Sequence, residues 1–189
     1  MPPVTAGATS ARHVLPDALL EDADGTAYRL QALLGDGPTV LAFVCNHCPY
    51  VQHVEQLFGR LAEEYAASGV TTLAVVSNDP DRYPQDGPAG MRDQATRAGW
   101  TFPYLRDRDH ALAHAVGAVC TPDLFVYDQE RTLFHRGAFD ASTPSNGQPL
   151  NGAALRAVLD ALLSGEEAPE GLPPSLGCGI KWAEGFSPQ

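Results

Sequence analysis

The run Thr39-Val40-Leu41-Ala42-Phe43-Val44 is almost wholly apolar and rich in β-formers, and a few residues later the apolar spacing changes period. A run with no polar face belongs to a strand covered on both sides, so the chain is committed to a sheet with a layer above and a layer below. After Pro49, residues Val51, Val54, Leu57, Phe58, Leu61 and Tyr65 recur at three- and four-residue steps. That is one apolar helix face, and Gly69 stops it. Thr71 to Ser77 reads as a second strand of the buried type.

Around this strand-helix-strand unit the other segments are shorter. The first dozen residues read as a loose arm, and Leu15 to Leu34, with Asp24-Gly25 inside it, as a hairpin closed by a tight turn. Asn78 to Pro88 is too irregular for an element. Ala89 to Ala98 reads as a helix ended by Gly99, Phe102 to Leu105 as a brief strand and His110 to Val116 as a brief helix. Leu124 to Tyr127 and Thr132 to Gly137 predict two strands joined at Asp128-Gln129-Glu130, and Asn151 to Leu163 a helix. A Pro/Gly-rich tail runs from 165 to 189. With no repeat and no linker, the 189 residues suit one domain with a core over about 15–164. The element order implies an α/β sandwich.

Composition removes some function classes. Twelve Lys and Arg against 23 Asp and Glu give a net charge of -11, which repels nucleic-acid phosphates and anionic lipid. No stretch approaches the ~20 apolar residues that span a bilayer. The N-terminus lacks the basic start and continuous apolar run of a secretory signal, so a cytoplasmic protein is expected. Four cysteines, Cys45, Cys48, Cys120 and Cys178, are too few and too unevenly placed for a disulfide scaffold. In a reducing compartment a close pair points to redox chemistry or metal binding.

Cys45-Asn46-His47-Cys48 lies where the buried strand ends and the amphipathic helix begins. The first cysteine of such a pair is expected just before the helix, open to solvent and facing its unpaired N–H groups and positive dipole end. Both features favour the thiolate, which is the attacking species in disulfide exchange. Cys45 is therefore expected as nucleophile and Cys48 as the resolving thiol, with Pro49 in the first helical turn. His47 is expected to donate a hydrogen bond, or a charge when protonated, to the Cys45 sulfur. About 75 residues later, Cys120-Thr121-Pro122 directly precedes a strand. A cis bond there would place the Thr121 backbone beside Cys45, ready to pair with an extended substrate strand. As an isolated feature, Pro122 is simply a strand-opening proline.

With these residues in view the chain resembles the redoxin branch of the thioredoxin superfamily, grouped with alkyl hydroperoxide reductase and thiol-specific antioxidant proteins. More narrowly it is similar to a bacterial subgroup of thioredoxin-like proteins. The matching stretches are Phe43 to Val51 with its Cys-Asn-His-Cys-Pro core, Ser77-Asn78-Asp79 with Tyr83-Pro84, Phe102 to Leu105, Thr121-Pro122-Asp123 and Gly177 to Trp182. The likeness spans roughly residues 15 to 183. It implies a thioredoxin-like three-layer sandwich, a central mixed sheet flanked by helices, with an N-terminal hairpin and a C-terminal tail. It also implies a redox-active pair at Cys45 and Cys48 and a cis bond before Pro122. Val44 stands where thioredoxin has Trp, and Asn-His replaces its Gly-Pro, so the docking surface differs.

Thiol-disulfide exchange on protein or small-molecule disulfides and thiols is the leading functional reading, with no cofactor, nucleic acid or membrane involved. The alternatives are a peroxiredoxin-type peroxidase using Cys48, a soft-metal module holding Cu(I) or zinc on Cys45, Cys48 and His47, and a non-catalytic adaptor. The peroxidase reading lacks the usual Thr three residues before its cysteine, where Cys45 stands, and would draw on Arg106, Arg108, Arg131 or Arg136. The metal reading lacks a second close cysteine pair. Cys120 reads as a small core residue or a nearby redox thiol. Cys178, between Gly177 and Gly179, reads as filler beside a docked Ile180 and Trp182, or as an extra redox cysteine for Cys48 or Cys120 if the tail folds back.

Overall fold

A computed structural model describes residues 3–7 and 13–186; the rest of the expected N-terminal arm and the end of the tail lie outside the described residues. Strands β1 (Val4–Thr5), β2 (Leu19–Glu21) and β3 (Ala27–Arg29) come first, then β4 (Thr39–Phe43) and β5 (Thr71–Val76), joined by helix α1 (Pro49–Ala66). Helix α2 (Pro88–Ala98), β6 (Tyr104–Arg106), helix α3 (Ala111–Val116), β7 (Cys120–Thr121), β8 (Asp123–Tyr127) and β9 (Leu133–Gly137) follow. Helix α4 (Ala153–Leu163) and β10 (Leu176–Gly179) complete the order.

The main sheet has seven strands in the order β3-β2-β6-β5-β4-β8-β9. It is mixed: β4 pairs parallel with β5 from Thr39↔Thr71 to Phe43↔Val75, and antiparallel with β8 on its other side. Every residue of β4 is buried, because alternate side chains enter different cores. Val40, Ala42 and Val44 meet Val54, Phe58 and Leu61 of α1 and Leu155, Val158 and Leu159 of α4. Leu41 and Phe43 point the other way, to Leu112 and Val116 of α3, Leu30 and Ile180. Each Leu or Phe so buried contributes roughly 1.5–3 kcal/mol by leaving water. The result is the expected three-layer α/β sandwich, with β4 between β5 and β8 and its C-terminal end delivering the cysteine pair.

The two chain ends depart from the sequence reading. Val4–Thr5 is not a loose arm and the tail is not irregular throughout: β1, β10 and β7 form a second sheet. Its register sets Val4 opposite Gly177, and Cys178 opposite Thr121. Neither end carries strand-like alternation, so the pairing arises from tertiary contact alone. Gly177 makes it possible, since a Cβ there would lie 1.9 Å from the Thr121 carbonyl oxygen. The loop after β5 also holds a 3-10 turn, Pro84–Asp86, that buries Asp86.

Candidate active site

Helix α1 begins one residue after Cys48, not after Cys45. Cys48 is the N-cap, with extended backbone, and Pro49 occupies the first helical turn. Asn46 and His47 form the turn between strand and helix. This corrects the expectation that Cys45 sits at the helix mouth, because the proline fixes where helical geometry starts. Cys45 is not open either: it is 1% exposed and Cys48 is 0% exposed.

Thr121 is the point where the cysteines converge. The Thr121-Pro122 peptide is cis. The Thr121 hydroxyl is 3.3 Å from the Cys45 sulfur, and as a thiol Cys48 donates to the Thr121 carbonyl at 3.2 Å. Cys178 faces Thr121 across the strand pair, and its carbonyl accepts from the Thr121 hydroxyl at 3.5 Å. The backbone edge expected to receive a substrate is thus occupied by the chain's own β10. Cys120 is fully buried, its sulfur directed at the Pro122 carbonyl 3.9 Å away. Burial, then the neighbouring Asp123, pushes its thiol up out of reach of neutral pH.

The charge on the pair is uneven. The Cys45 thiol bonded to Cys48 pulls the Cys48 value down from the usual 9 to about 5, against the opposing effect of burial. The Cys178 thiol and the Val51 and Cys178 amides add to the pull. Cys45 moves the other way, raised first by its bond to the Cys48 sulfur, then by burial and by the charge of Asp86. Two sulfurs in contact lose protons as a unit, and the first charge settles on the sulfur at the helix mouth. Burial, followed by the Cys48 sulfur, raises Cys178 to about 12.

His47 does not bond the Cys45 sulfur. Its ring Nδ1 lies 2.6 Å from Asp86 Oδ2, its backbone N–H donates to Asp86 Oδ1 at 3.1 Å, and its ring stacks on Tyr83. Asn78 donates to the same Asp86 oxygen at 2.7 Å. Burial acts to raise Asp86, but the His47 and Asn78 hydrogen bonds outweigh it and hold the carboxyl below its usual value. A second buried network grips the loop from α1 and α2. Glu55 accepts from Arg97 at 2.6 Å and from Gln94 at 3.2 Å, while Arg97 also reaches the Asn46 side-chain oxygen at 2.9 Å. Asp86, Glu55, Gln94 and Arg97 were missed from sequence, while Asn78 stood there only as part of a matching stretch. Only Glu55, a charge on an otherwise apolar helix face, left a signal.

The donor atoms of Cys45, His47 and Asp86 lie within 4.8 Å of one another. This grouping differs from the Cys45, Cys48 and His47 set expected for a metal, and both oxygens of Asp86 already hold His47 and Asn78. Three of the four arginines considered for a peroxidase bind elsewhere: Arg108 to Glu21, Arg131 to the Gly37 carbonyl and Arg136 to Asp123 at 2.5 Å. Beside Pro122 a cavity of about 240 Å³ opens between Tyr50, Val54, Phe139 and Leu176. No helix among the described residues is long and apolar enough to cross a membrane.

Thiol-disulfide oxidoreductase ResA of Geobacillus thermodenitrificans (strain NG80-2) is 29% identical over 114 residues, 60% of this chain and 61% of that protein. The chain thus matches about three-fifths of its curated relative's length. An uncharacterized conserved protein from Geobacillus kaustophilus superposes with a TM-score of 0.93 at 41% identity, over 98% of this chain and 99% of that one. A thiol:disulfide interchange protein of the thioredoxin family from Chlorobium tepidum TLS superposes with a TM-score of 0.61 at 14% identity, over 82% and 99%. That likeness establishes the thioredoxin-like fold. The model of the AhpC/TSA family matches residues 11–136, a span that takes in the cysteine pair, Thr121 and Pro122, and the chain belongs to that family.

Proposed function

We propose that the chain is a thiol-disulfide oxidoreductase that cycles Cys45 and Cys48 between dithiol and disulfide. The observation that carries this reading is the convergence of both sulfurs on Thr121, before the cis-proline and at a helix N-terminus: Cys45 lies 3.3 Å from its hydroxyl and Cys48 3.2 Å from its carbonyl. A substrate disulfide accepts two electrons from the pair and leaves as two thiols, taking one proton from the Cys45 thiol and the other from solvent. The thiolate attacks first, and the second sulfur then displaces the substrate by forming the Cys45–Cys48 bond. The charge distribution favours Cys48 as the sulfur that starts the exchange and Cys45 as the one that closes it, the reverse of the order expected from chain position. Thr121 and Pro122 line the site, and the apolar cavity beside Pro122 suits a side chain of a bound peptide. Protein or low-molecular-weight disulfides and thiols are the proposed partners, and the cytoplasm the proposed compartment.

The test is oxidation of the whole protein by a stoichiometric disulfide, followed by acid quench and mass mapping. A Cys45–Cys48 bond should form and be reducible by dithiol, and Cys45→Ser or Cys48→Ser should abolish catalytic turnover. Absence of that bond overturns the reading. One observation favours a second reading: Cys48 precedes Pro49 at a helix start and has its value lowered to about 5, as suits a peroxide-attacking sulfur. The thiolate would take one peroxide oxygen as sulfenic acid, and Cys45 would then expel water to form the disulfide. Steady peroxide consumption, with an external thiol supplied as reductant, that dies with Cys48→Ser but survives Cys45→Ser would select it.

A further inference from the structure

The redox pair has no direct route to solvent, as Cys45 is 1% and Cys48 0% exposed. What covers it is β10, and the residue that β10 brings there is another cysteine. Cys178 lies opposite Thr121, the residue whose hydroxyl touches the Cys45 sulfur and whose carbonyl touches the Cys48 sulfur. The Cys178 side chain packs against the core cluster containing both cysteines, yet unlike them it is partly exposed. The segment also has the geometry of a bound extended peptide, antiparallel to the backbone just before the cis-proline.

This strand is held rather than merely resting there. The Ile180 N–H donates to the Val119 carbonyl at 3.0 Å, and Ile180 is buried. The Lys181 N–H donates to the Asn78 side chain at 2.8 Å, and the Lys181 carbonyl accepts from the Asp79 N–H at 2.8 Å. Asn78 in turn binds Asp86, which binds His47 of the cysteine turn. A strand tied at both the sheet and the active-site loop keeps its cysteine over the pair.

We propose that Cys178 is the entry sulfur of the site, passing disulfides between external partners and Cys48. The proposal rests on the dithiol reading of Cys45 and Cys48 and deepens it. In the oxidising direction Cys178 gives its proton to the Cys48 thiolate and attacks a substrate disulfide. One substrate thiol leaves, and a mixed disulfide remains on Cys178. Cys48, losing that proton to the departing thiolate, attacks the Cys178 sulfur, forming Cys48–Cys178 and releasing the second substrate thiol. Cys45 then attacks Cys48, the disulfide moves to Cys45–Cys48, and Cys178 recovers a proton from Cys45. Two electrons pass from the protein to the substrate, and no other oxidant enters. Run backwards, an external thiol attacks Cys178 and Cys48 departs, which is fast because a low-pKa thiolate is a good leaving group.

The test uses the full chain, with oxidised glutathione as the probe. Cys45→Ser, treated with one equivalent, acid-quenched and mapped, should carry a Cys48–Cys178 disulfide as its main product. A persistent glutathione adduct on Cys48, or no reaction there, overturns the proposal. Cys178→Ser should still reach the Cys45–Cys48 disulfide, but its oxidation and reduction should be slower by at least ~10-fold, since the accessible attacking thiol is gone. Cys178→Ala, checked for folding by its thermal transition, should slow to the same degree. Wild-type rates in both variants overturn the relay while leaving the dithiol reading intact. Failure of wild type and Cys178→Ser alike to form Cys45–Cys48 defeats the dithiol reading itself.

Discussion

At Cys48 burial and hydrogen bonding pull in opposite directions. A fully covered sulfur ought to keep its proton, yet donors on several sides hold it as a thiolate with a value near 5 instead of the usual 9. The linkage follows from the sign of that shift. The folded value lies below the unfolded one, so the thiolate stabilises the reduced fold in full above pH 9 and loses that contribution as pH falls through about 5. Relative to Cys48→Ser, the reduced protein should therefore gain stability towards denaturant as pH rises across that window, at a slope of up to roughly 1.4 kcal/mol per pH unit. The ultraviolet absorbance of the first thiolate should titrate with a midpoint of about 5 and vanish in Cys48→Ser. A midpoint near that of free cysteine, or a stability difference flat across the window, removes the charge from Cys48 and with it the proposed order of attack.

Among the elements, β10 decides who reaches the sulfurs. Gly177 tolerates the approach of the Thr121 carbonyl only because it has no Cβ; one would sit 1.9 Å from that oxygen. Gly177→Ala should push the strand away at the ~1–3 kcal/mol usual for overpacking, and since ~1.4 kcal/mol is a factor of ten, Cys45 and Cys48 should alkylate about 10-fold faster or more. Mass-resolved alkylation at each cysteine measures it, and unchanged rates would mean that the strand is not the cover. This element was also the least legible in the sequence. The run in β4 and the three- and four-residue spacing of α1 declared themselves locally, because their partners are covered faces that any apolar neighbour satisfies. Leu-Gly-Cys-Gly has no such pattern; it becomes a strand only because Val4–Thr5 and Cys120–Thr121 supply backbone partners on both sides. The site divides in the same way. Its cysteines and proline show in spacing, whereas Asp86 lies in a loop without periodicity, and Glu55 interrupts an apolar helix face without disclosing the Arg97 and Gln94 that close over it. Pro49 was rightly read into the first turn of α1; what the sequence reading misjudged is Cys45, which stands three residues before the N-cap Cys48 and not just before the helix.

Over the whole molecule, a net charge of -11 surrounds a site whose own thiolate is negative. Close to the sulfurs the balance differs: Lys181 sits 5.8 Å from the centre of the Tyr83 ring, which stacks on His47, and Arg97 reaches Asn46. These groups act at short range, where hydrogen bonds decide orientation, while the global charge acts on the approach of a partner. Cationic disulfides should therefore be drawn in and anionic ones repelled. Cystamine, a dication, should react at low salt with a rate advantage over oxidised glutathione, a net anion, of about 10-fold or more, the scale of electrostatic steering. Their intrinsic leaving-group difference does not change with salt, so the salt response isolates the field. The Debye length shrinks from about 10 Å at 0.1 M to about 3 Å at 1 M, so the ratio should fall toward its intrinsic value across that range. A ratio that ignores salt would mean that the partner meets only the local groups at Cys178, Lys181 and His47, and that the acidic surface plays no part in choosing it.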